Sequence, residues 1–291
     1  MGAGSCSRAG GTGASRRMID VILLFREALY GALVIALACS VLGVYVVLRR
    51  IVFVGAALAQ ISSAGIALAL FLAGLGVEAF GLTRHPVALS LIVTLLAAML
   101  FSGGTRRRLP PDAKIGMAYA LAAAAGILLI AKATAGEAHD IFLSGNILGI
   151  TRADTLVLIG ISIPVLLIHA LFYKEFLFVS FDQETARTLG YSVTRWNLLL
   201  YFTLGLAIAF AMQFAGVLLV FNFLVLPAVT GLLVARSMGG MFAVAVGAGL
   251  AASAIGFSLS VPFDLPTSPA IIAVSGALAL VAWLIRLAQR R

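Results

Sequence analysis

Charged residues in this chain are few, and they are confined to short stretches between long apolar runs. Asp, Glu, Lys and Arg make up 11% of the 291 residues and apolar residues 62%. A soluble domain has roughly a quarter of its residues charged. Because a charge held at the centre of a bilayer is costly, long uncharged runs are typical of membrane-spanning helices. The pattern predicts an all-α, polytopic integral membrane protein.

The apolar core of a bilayer takes about 20 residues of helix, so the uncharged runs can be counted as spans. The nine predicted spans are 28–48, 54–74, 86–102, 114–131, 154–173, 197–215, 217–235, 240–261 and 268–287. The third is short, and the sixth and seventh nearly fuse at Gly216, so eight spans is the alternative. Residues 1–19 are expected to be a disordered tail or to precede a native start at Met18. Residues 20–291 form the predicted membrane domain.

Lys and Arg accumulate in the loops of one side. With nine spans and an inner C-terminus, the inner side holds the groups 49–50, 106–108 and 290–291, whereas the outer loops hold only Arg84, Lys132 and Arg152. Basic loops stay in the cytoplasm, which predicts a cytoplasmic C-terminus in the inner or plasma membrane. This bias explains the net charge of +9 without nucleic acid as a partner.

The chain shows no energy source of its own. None of its eleven carboxylates falls in the middle of a predicted span, which disfavours an ion-driven carrier. Its three lysines, Lys114, Lys132 and Lys174, do not follow the Gly-rich pattern of a phosphate-binding loop. We therefore predict a non-enzymatic subunit without a cofactor, for which a partner would have to use ATP.

The longest mixed-charge stretch between spans is 174–195. Ser180 or Asp182 can cap a short helix there, with Glu184 in its first turn and Gly190 as its stop. The apolar side of that helix is expected to consist of Phe181, Ala186 and Leu189. The residues alone leave two interpretations open, a solvated loop and a docking helix for a cytoplasmic partner.

The sequence S-F-D-Q-E-T-A-R-T-L-G at 180–190 resembles the cytoplasmic coupling segment of the zinc/manganese-type ABC importer permeases. Other motifs of that family follow the same order over about residues 25–285. They are L-G-V-Y-V-V-L-R-R with Gly43, Arg49 and Arg50, F-V-G at 53–55 through Gly65, G-V-L-L-V from Gly216, L-V-L-P-A with Pro227, and D-L-P-T-S-P with Asp264 and Pro266.

The resemblance implies a homodimeric permease, embedded in membrane lipid, that moves its cargo by alternating access. It would receive a divalent metal, zinc ahead of manganese or iron, from an extracytoplasmic metal-binding protein. A cytoplasmic ABC ATPase subunit would drive it through 180–190. The alternatives are a permease for a metal chelate or another small solute and, less favoured, a stand-alone carrier or channel.

One departure from the family concerns the cargo. Members typically carry Asp and His one helical turn apart at the start of the second span, where this chain has Ala56 and Gln60. The metal ligands therefore stay unknown. Polar residues in the apolar runs are candidates either for the substrate pathway or for interhelical hydrogen bonds. These candidates are Gln60, Ser62, Ser63, Gln213 and Asn222.

Overall fold

The computed structural model describes residues 25–75, 85–103, 110–132, 147–260 and 263–289. Within these ranges all regular structure is helical, and a single 3-10 turn, Ile147–Gly149, precedes the fifth helix. The helices are α1 Arg26–Leu48, α2 Phe53–Gly74, α3 Pro86–Ser102, α4 Pro111–Lys132, α5 Arg152–Leu171, α6 Tyr173–Phe181, α7 Gln183–Thr188, α8 Val193–Val234, α9 Met238–Ser260 and α10 Thr267–Ala288. The tail expected at 1–19 lies outside the described residues.

Seven of these helices are long and apolar enough to cross a membrane, judged by length and composition, and α3 is a shorter apolar helix. With 42 residues, α8 would measure about 63 Å if straight, twice the roughly 30 Å core of a bilayer. Its helical geometry is interrupted at Gly216, where φ is 74° and ψ is 168°. Only glycine adopts this backbone conformation readily.

The two halves of α8 run in opposite directions. Asn197, near its start, bonds to Arg49 just after α1, and Ala235, just after its end, packs on the same small cluster as Leu48. Both ends of α8 therefore lie at one end of the bundle, and α8 supplies two spans that meet at Gly216. Counted this way, the described residues contain nine apolar helical segments. The all-α, polytopic fold is confirmed.

The helices α1, α2 and α8 form the centre of the bundle. Of the candidate spans, they have the largest share of buried residues, and α3 and α4 both pack against α2. Helix backbones approach closely at glycines: a Cβ on Gly43 would collide with the backbone of Leu224, and one on Gly65 would lie 2.7 Å from Ser90 Cα. Such contacts supply attraction in a lipid environment, where helix association depends on packing.

The ends of the bundle differ in charge. We call the end at which α1 finishes the basic end, because it holds most of the described basic side chains. These are Arg49, Arg50, Lys114, Lys174, Arg187, Arg195, Arg236 and Arg286. The opposite end holds Arg26, Lys132 and Arg152. The short helices α6 and α7 lie at the basic end.

Candidate functional site

The segment α6–α7 has well-defined starts and stops. Asp182 separates the helices and caps α7: its Oδ1 accepts from the backbone N–H groups of Glu184 and Thr185, both at 3.0 Å, and its Oδ2 accepts from Thr185 Oγ1 at 2.5 Å. These hydrogen bonds lower the pKa of the exposed Asp182 carboxyl, and the bond from the Thr185 hydroxyl has the largest effect.

Gly190 ends α7 in a left-handed conformation with φ of 87°. The amide of Tyr191 donates to Ala186 O at 3.0 Å, and that of Gly190 donates to Arg187 O at 3.1 Å. This is the bonding of a Schellman motif, in which glycine is favoured because it has no Cβ. The cap and the stop together define where α7 begins and ends.

The apolar residues of this segment do not form the single side expected from the sequence. Ala186 is fully buried with Val179 and Val193, whereas Phe181 and Leu189 are 57% and 65% exposed. The reason is that Phe181 ends α6 and Leu189 follows α7, so the three residues do not share one regular helix. The segment thus presents two large apolar side chains outward.

Arg49 ties this segment to the central helices. Its Nε donates to Ser180 Oγ at 2.9 Å, and its Nη1 donates to Asn197 Oδ1 at 2.5 Å. Ser180 lies in α6 and is not the cap of α7. Burial lowers the pKa of the guanidinium to about 10, so Arg49 stays charged at neutral pH. One side chain thereby links the ends of α1, α6 and α8.

An aromatic cluster forms a second link, which sequence reasoning missed. The ring of Phe176 on α6 stacks on His169 of α5 with centroids 4.4 Å apart, and it meets Trp196 of α8 edge-on at 5.3 Å. Tyr45 of α1 lies 5.2 Å from the His169 ring and 5.2 Å from Phe242 of α9. The available signal was the concentration of aromatic residues at the span ends near 45, 172–176 and 196.

The pathway candidates on α2 lie in different environments. Ala56 and Gln60 are one turn apart on the same face; Ala56 is buried and Gln60 is half-buried. Ser63 is buried too. Ser62 lies in the contact between α2 and α3. Its hydroxyl oxygen is 2.8 Å from Ser90 Oγ, and its backbone carbonyl accepts a hydrogen bond from the Ser90 hydroxyl at 2.8 Å.

The two candidates on α8 lie on either side of Gly216. Gln213 is half-buried, and its Nε2 donates to Ala209 O at 3.2 Å. Asn222 is buried, and its Nδ2 donates to Ser275 Oγ of α10 at 3.0 Å, while its Oδ1 has no partner among the described residues. Within the described ranges, no three His, Cys, Asp or Glu residues come together in a way that could hold a metal ion.

The other motif residues occupy turns and close contacts. Arg50, two residues after the end of α1, has a positive φ of 58°, and Asp264 has a φ of 50° in the turn that Pro266 closes before α10. Pro227 is buried within the second half of α8. These residues shape the spans and the turns between them. None of them is a sequence neighbour of the pathway candidates on α2.

Membrane components of manganese transport systems resemble the chain over nearly its whole length. The manganese import system permease protein ScaB of Streptococcus gordonii is 30% identical over 268 residues, which cover 91% of this chain and 92% of ScaB. The manganese transport system membrane protein MntC of Halalkalibacterium halodurans is 29% identical over 260 residues, covering 89% and 86%.

A solved structure shares the fold. PsaBC from Streptococcus pneumoniae, determined in complex with a Fab, superposes with a TM-score of 0.78 at 26% identity and covers 92% of this chain and 95% of its own. The relatives are transport components and not enzymes. The model of the ABC 3 transport family matches residues 22–286, and with this match the chain belongs to that family of multi-pass, metal-importing ABC permeases.

Proposed function

We propose that the chain is the membrane-spanning subunit of an ATP-driven importer for a divalent transition metal and that it works as a homodimer by alternating access. The observation that carries the proposal is the attachment of α6–α7 to the spans through Arg49 and the aromatic cluster. A partner that moves this segment would move the ends of α1, α5 and α8 with it.

The exposed side chains of Phe181 and Leu189 are the proposed contacts with the cytoplasmic ATPase. Large apolar residues at the centre of a small interface supply much of its binding energy. Phe181 ends α6 and Leu189 follows the capped helix α7, so both side chains project from hydrogen-bonded backbone and little ordering is needed on binding. Glu184 and the other polar residues of α7 are exposed around them and suit the rim of such a contact.

The proposed orientation puts the basic end in the cytoplasm, following the bias of Lys and Arg towards that side. The C-terminal end of α10 then lies inside, together with α6 and α7. The opposite end, with the turn around Asp264, faces the extracytoplasmic metal-binding protein that would deliver the cargo. This arrangement places the motor and the delivery protein on opposite sides of the membrane.

Manganese is the cargo that we place first. ScaB and MntC both carry manganese in their names, and the preference for zinc over manganese expected from the sequence has no such support. The proposed pathway includes Gln60, Ser63, Gln213 and Asn222. Neutral amide and hydroxyl oxygens suit a hard ion such as Mn²⁺ better than the softer Zn²⁺.

A metal chelate is the second candidate cargo, favoured by the neutral pair Ala56 and Gln60. A chelate brings its own ligands, so the pathway needs no charged side chain to hold it. Uptake of free Mn²⁺ in the absence of any added chelator would reject this alternative, and uptake that requires a chelator would favour it.

The test is reconstitution of the chain with its ATPase and metal-binding partners in lipid vesicles, followed by uptake of radioactive Mn²⁺ with ATP. Phe181→Asp and Leu189→Asp are expected to abolish co-purification of the ATPase and uptake. Thr194→Ala, an exposed change at the same end, is the control and should preserve both. Uphill accumulation of metal in vesicles that contain this chain alone would overturn the proposal.

A further inference from the structure

A lateral groove on the bundle lies apart from the coupling segment. It has a volume of about 510 Å³ and is formed by α2, α3 and α4. Helix α2 is its floor, because α3 packs on α2 at Gly65 and α4 packs on it where Gly126 meets Ala64. Since α3 and α4 have few contacts with each other, the groove between them stays open.

The lining of the groove is entirely apolar. Typical members are Ala64 and Leu68 on the floor, Leu96 and Ala97 on α3, and Ala122 and Ala125 on α4. Along α4 the lining runs from Ala118 to Leu129, which is about 16 Å of helix. That length is about half of the 30 Å bilayer core, the depth of a single leaflet.

A cationic group lies at one end of the groove. Lys114 is one helical turn before Ala118. Its ammonium group donates a hydrogen bond to the backbone carbonyl of Leu100 at 2.9 Å, and Leu100 is one of the residues that line the groove. An ammonium group has three donors, so two remain for a ligand. Asp112 is exposed nearby.

We propose that the groove binds one acyl chain of an anionic phospholipid and that Lys114 contacts its phosphate. The apolar lining suits the hydrocarbon tail, and the positive charge at the end of the groove suits the headgroup. Basic pockets between membrane helices bind anionic headgroups for the same reason. The groove borders the proposed cargo pathway, because Ile61 and Ala64 of its lining adjoin Gln60 and Ser63 on α2. Its occupation by a lipid needs neither ATP nor metal.

A second copy of the chain fits the groove less well. In a two-fold interface, a convex apolar part of one copy would have to fill the groove of the other and bring an acidic group to Lys114. Most of the described charged side chains at this end are basic. A lipid provides both the convex apolar tail and the opposite charge.

The test is native mass spectrometry of the full chain in detergent, with equimolar phosphatidylglycerol and phosphatidylcholine of identical acyl chains. We expect phosphatidylglycerol to be retained about fivefold over phosphatidylcholine, the effect of one lysine at an anionic headgroup. Lys114→Gln should bring the ratio close to one. Lys132→Gln, at the other end of α4, is the matched control and should leave the ratio unchanged.

Filling the groove tests the acyl-chain contact. Ala122→Phe is expected to abolish retention of both lipids, whereas Leu128→Phe, on the exposed side of α4, should not. A lipid ratio unaffected by Lys114→Gln would overturn the proposal, even if the Ala122 variant fails to fold. Unchanged lipid retention together with dimers lost in the Ala122 variant would also overturn it, because the groove would then be a contact between subunits.

Discussion

The side chains of Arg49 and Ser180, 131 residues apart in sequence, are joined by a 2.9 Å hydrogen bond from Nε to Oγ. This bond and the one to Asn197 connect the capped segment α6–α7 to the central helices. We expect Arg49→Ala to destabilise the fold by about 2 kcal/mol, the order of a hydrogen bond to a charged group. It should lower metal uptake per ATP hydrolysed in reconstituted vesicles.

Arg50→Gly is the control for this variant. It removes a neighbouring positive charge, and glycine suits the positive φ at position 50. Thermal unfolding and uptake per ATP should therefore stay at the level of the unmodified chain. Equal loss of coupling in both variants would show that charge at this end matters and that the bonds of Arg49 do not.

Asp182 gives a prediction about pH. Because hydrogen bonds from Thr185 and Glu184 lower the pKa of Asp182 below its ordinary 3.8, the carboxylate is favoured in the folded segment. Its stabilising contribution is present above pH 3.8 and is lost as the pH falls through the lower, folded-state pKa. Between pH 5 and 8 the stabilisation that the Asp182 cap supplies should therefore be constant.

Amide hydrogen exchange measures this cap. Asp182→Ala should speed exchange at Glu184 and Thr185, which lose their acceptor, and Asp182→Asn should have a smaller effect because asparagine is a good N-cap. The ratio of exchange rates between the variant and the unmodified chain should not change from pH 5 to 8. A ratio that shrinks towards pH 5 would contradict the assignment of an ionised cap.

The spans could be predicted from the sequence because lipid imposes a local rule. A helix in a bilayer needs an uncharged run, so the predicted span 54–74 and α2, Phe53–Gly74, agree to one residue. The cap at Asp182 and the stop at Gly190 are local as well. Even the reversal within α8 has a local signal, Gly216 between two apolar runs.

The contacts between distant segments could not be predicted in this way. Nothing near Arg49 in the sequence indicates Ser180 or Asn197, and nothing near Ala186 indicates that it turns inward onto Val193. The stacking of His169 on Phe176 depends on how α5 turns into α6. These contacts arise from packing among helices, which the span pattern of one chain does not contain.

The orientation of the bundle gives a prediction that chemical labelling can test. In a chain with Cys6 and Cys39 replaced by alanine, Thr188→Cys should react with an impermeant thiol reagent only from the cytoplasmic side. Ala153→Cys, exposed in the first turn of α5 at the opposite end, should react only from outside. The reverse pattern would contradict a cytoplasmic basic end.

The turn at Gly216 should favour glycine over any other residue. Its φ of 74° and ψ of 168° lie in a region that only glycine populates readily, so Gly216→Ala should cost about 1–3 kcal/mol. Gly160 is the matched control: it is helical, and a Cβ there meets no atom within 4 Å, so Gly160→Ala should be neutral or stabilise by up to about 1 kcal/mol. Thermal unfolding midpoints in detergent compare the two variants. If Gly216→Ala unfolds no earlier than Gly160→Ala, the two halves of α8 do not depend on this backbone conformation to turn back on each other.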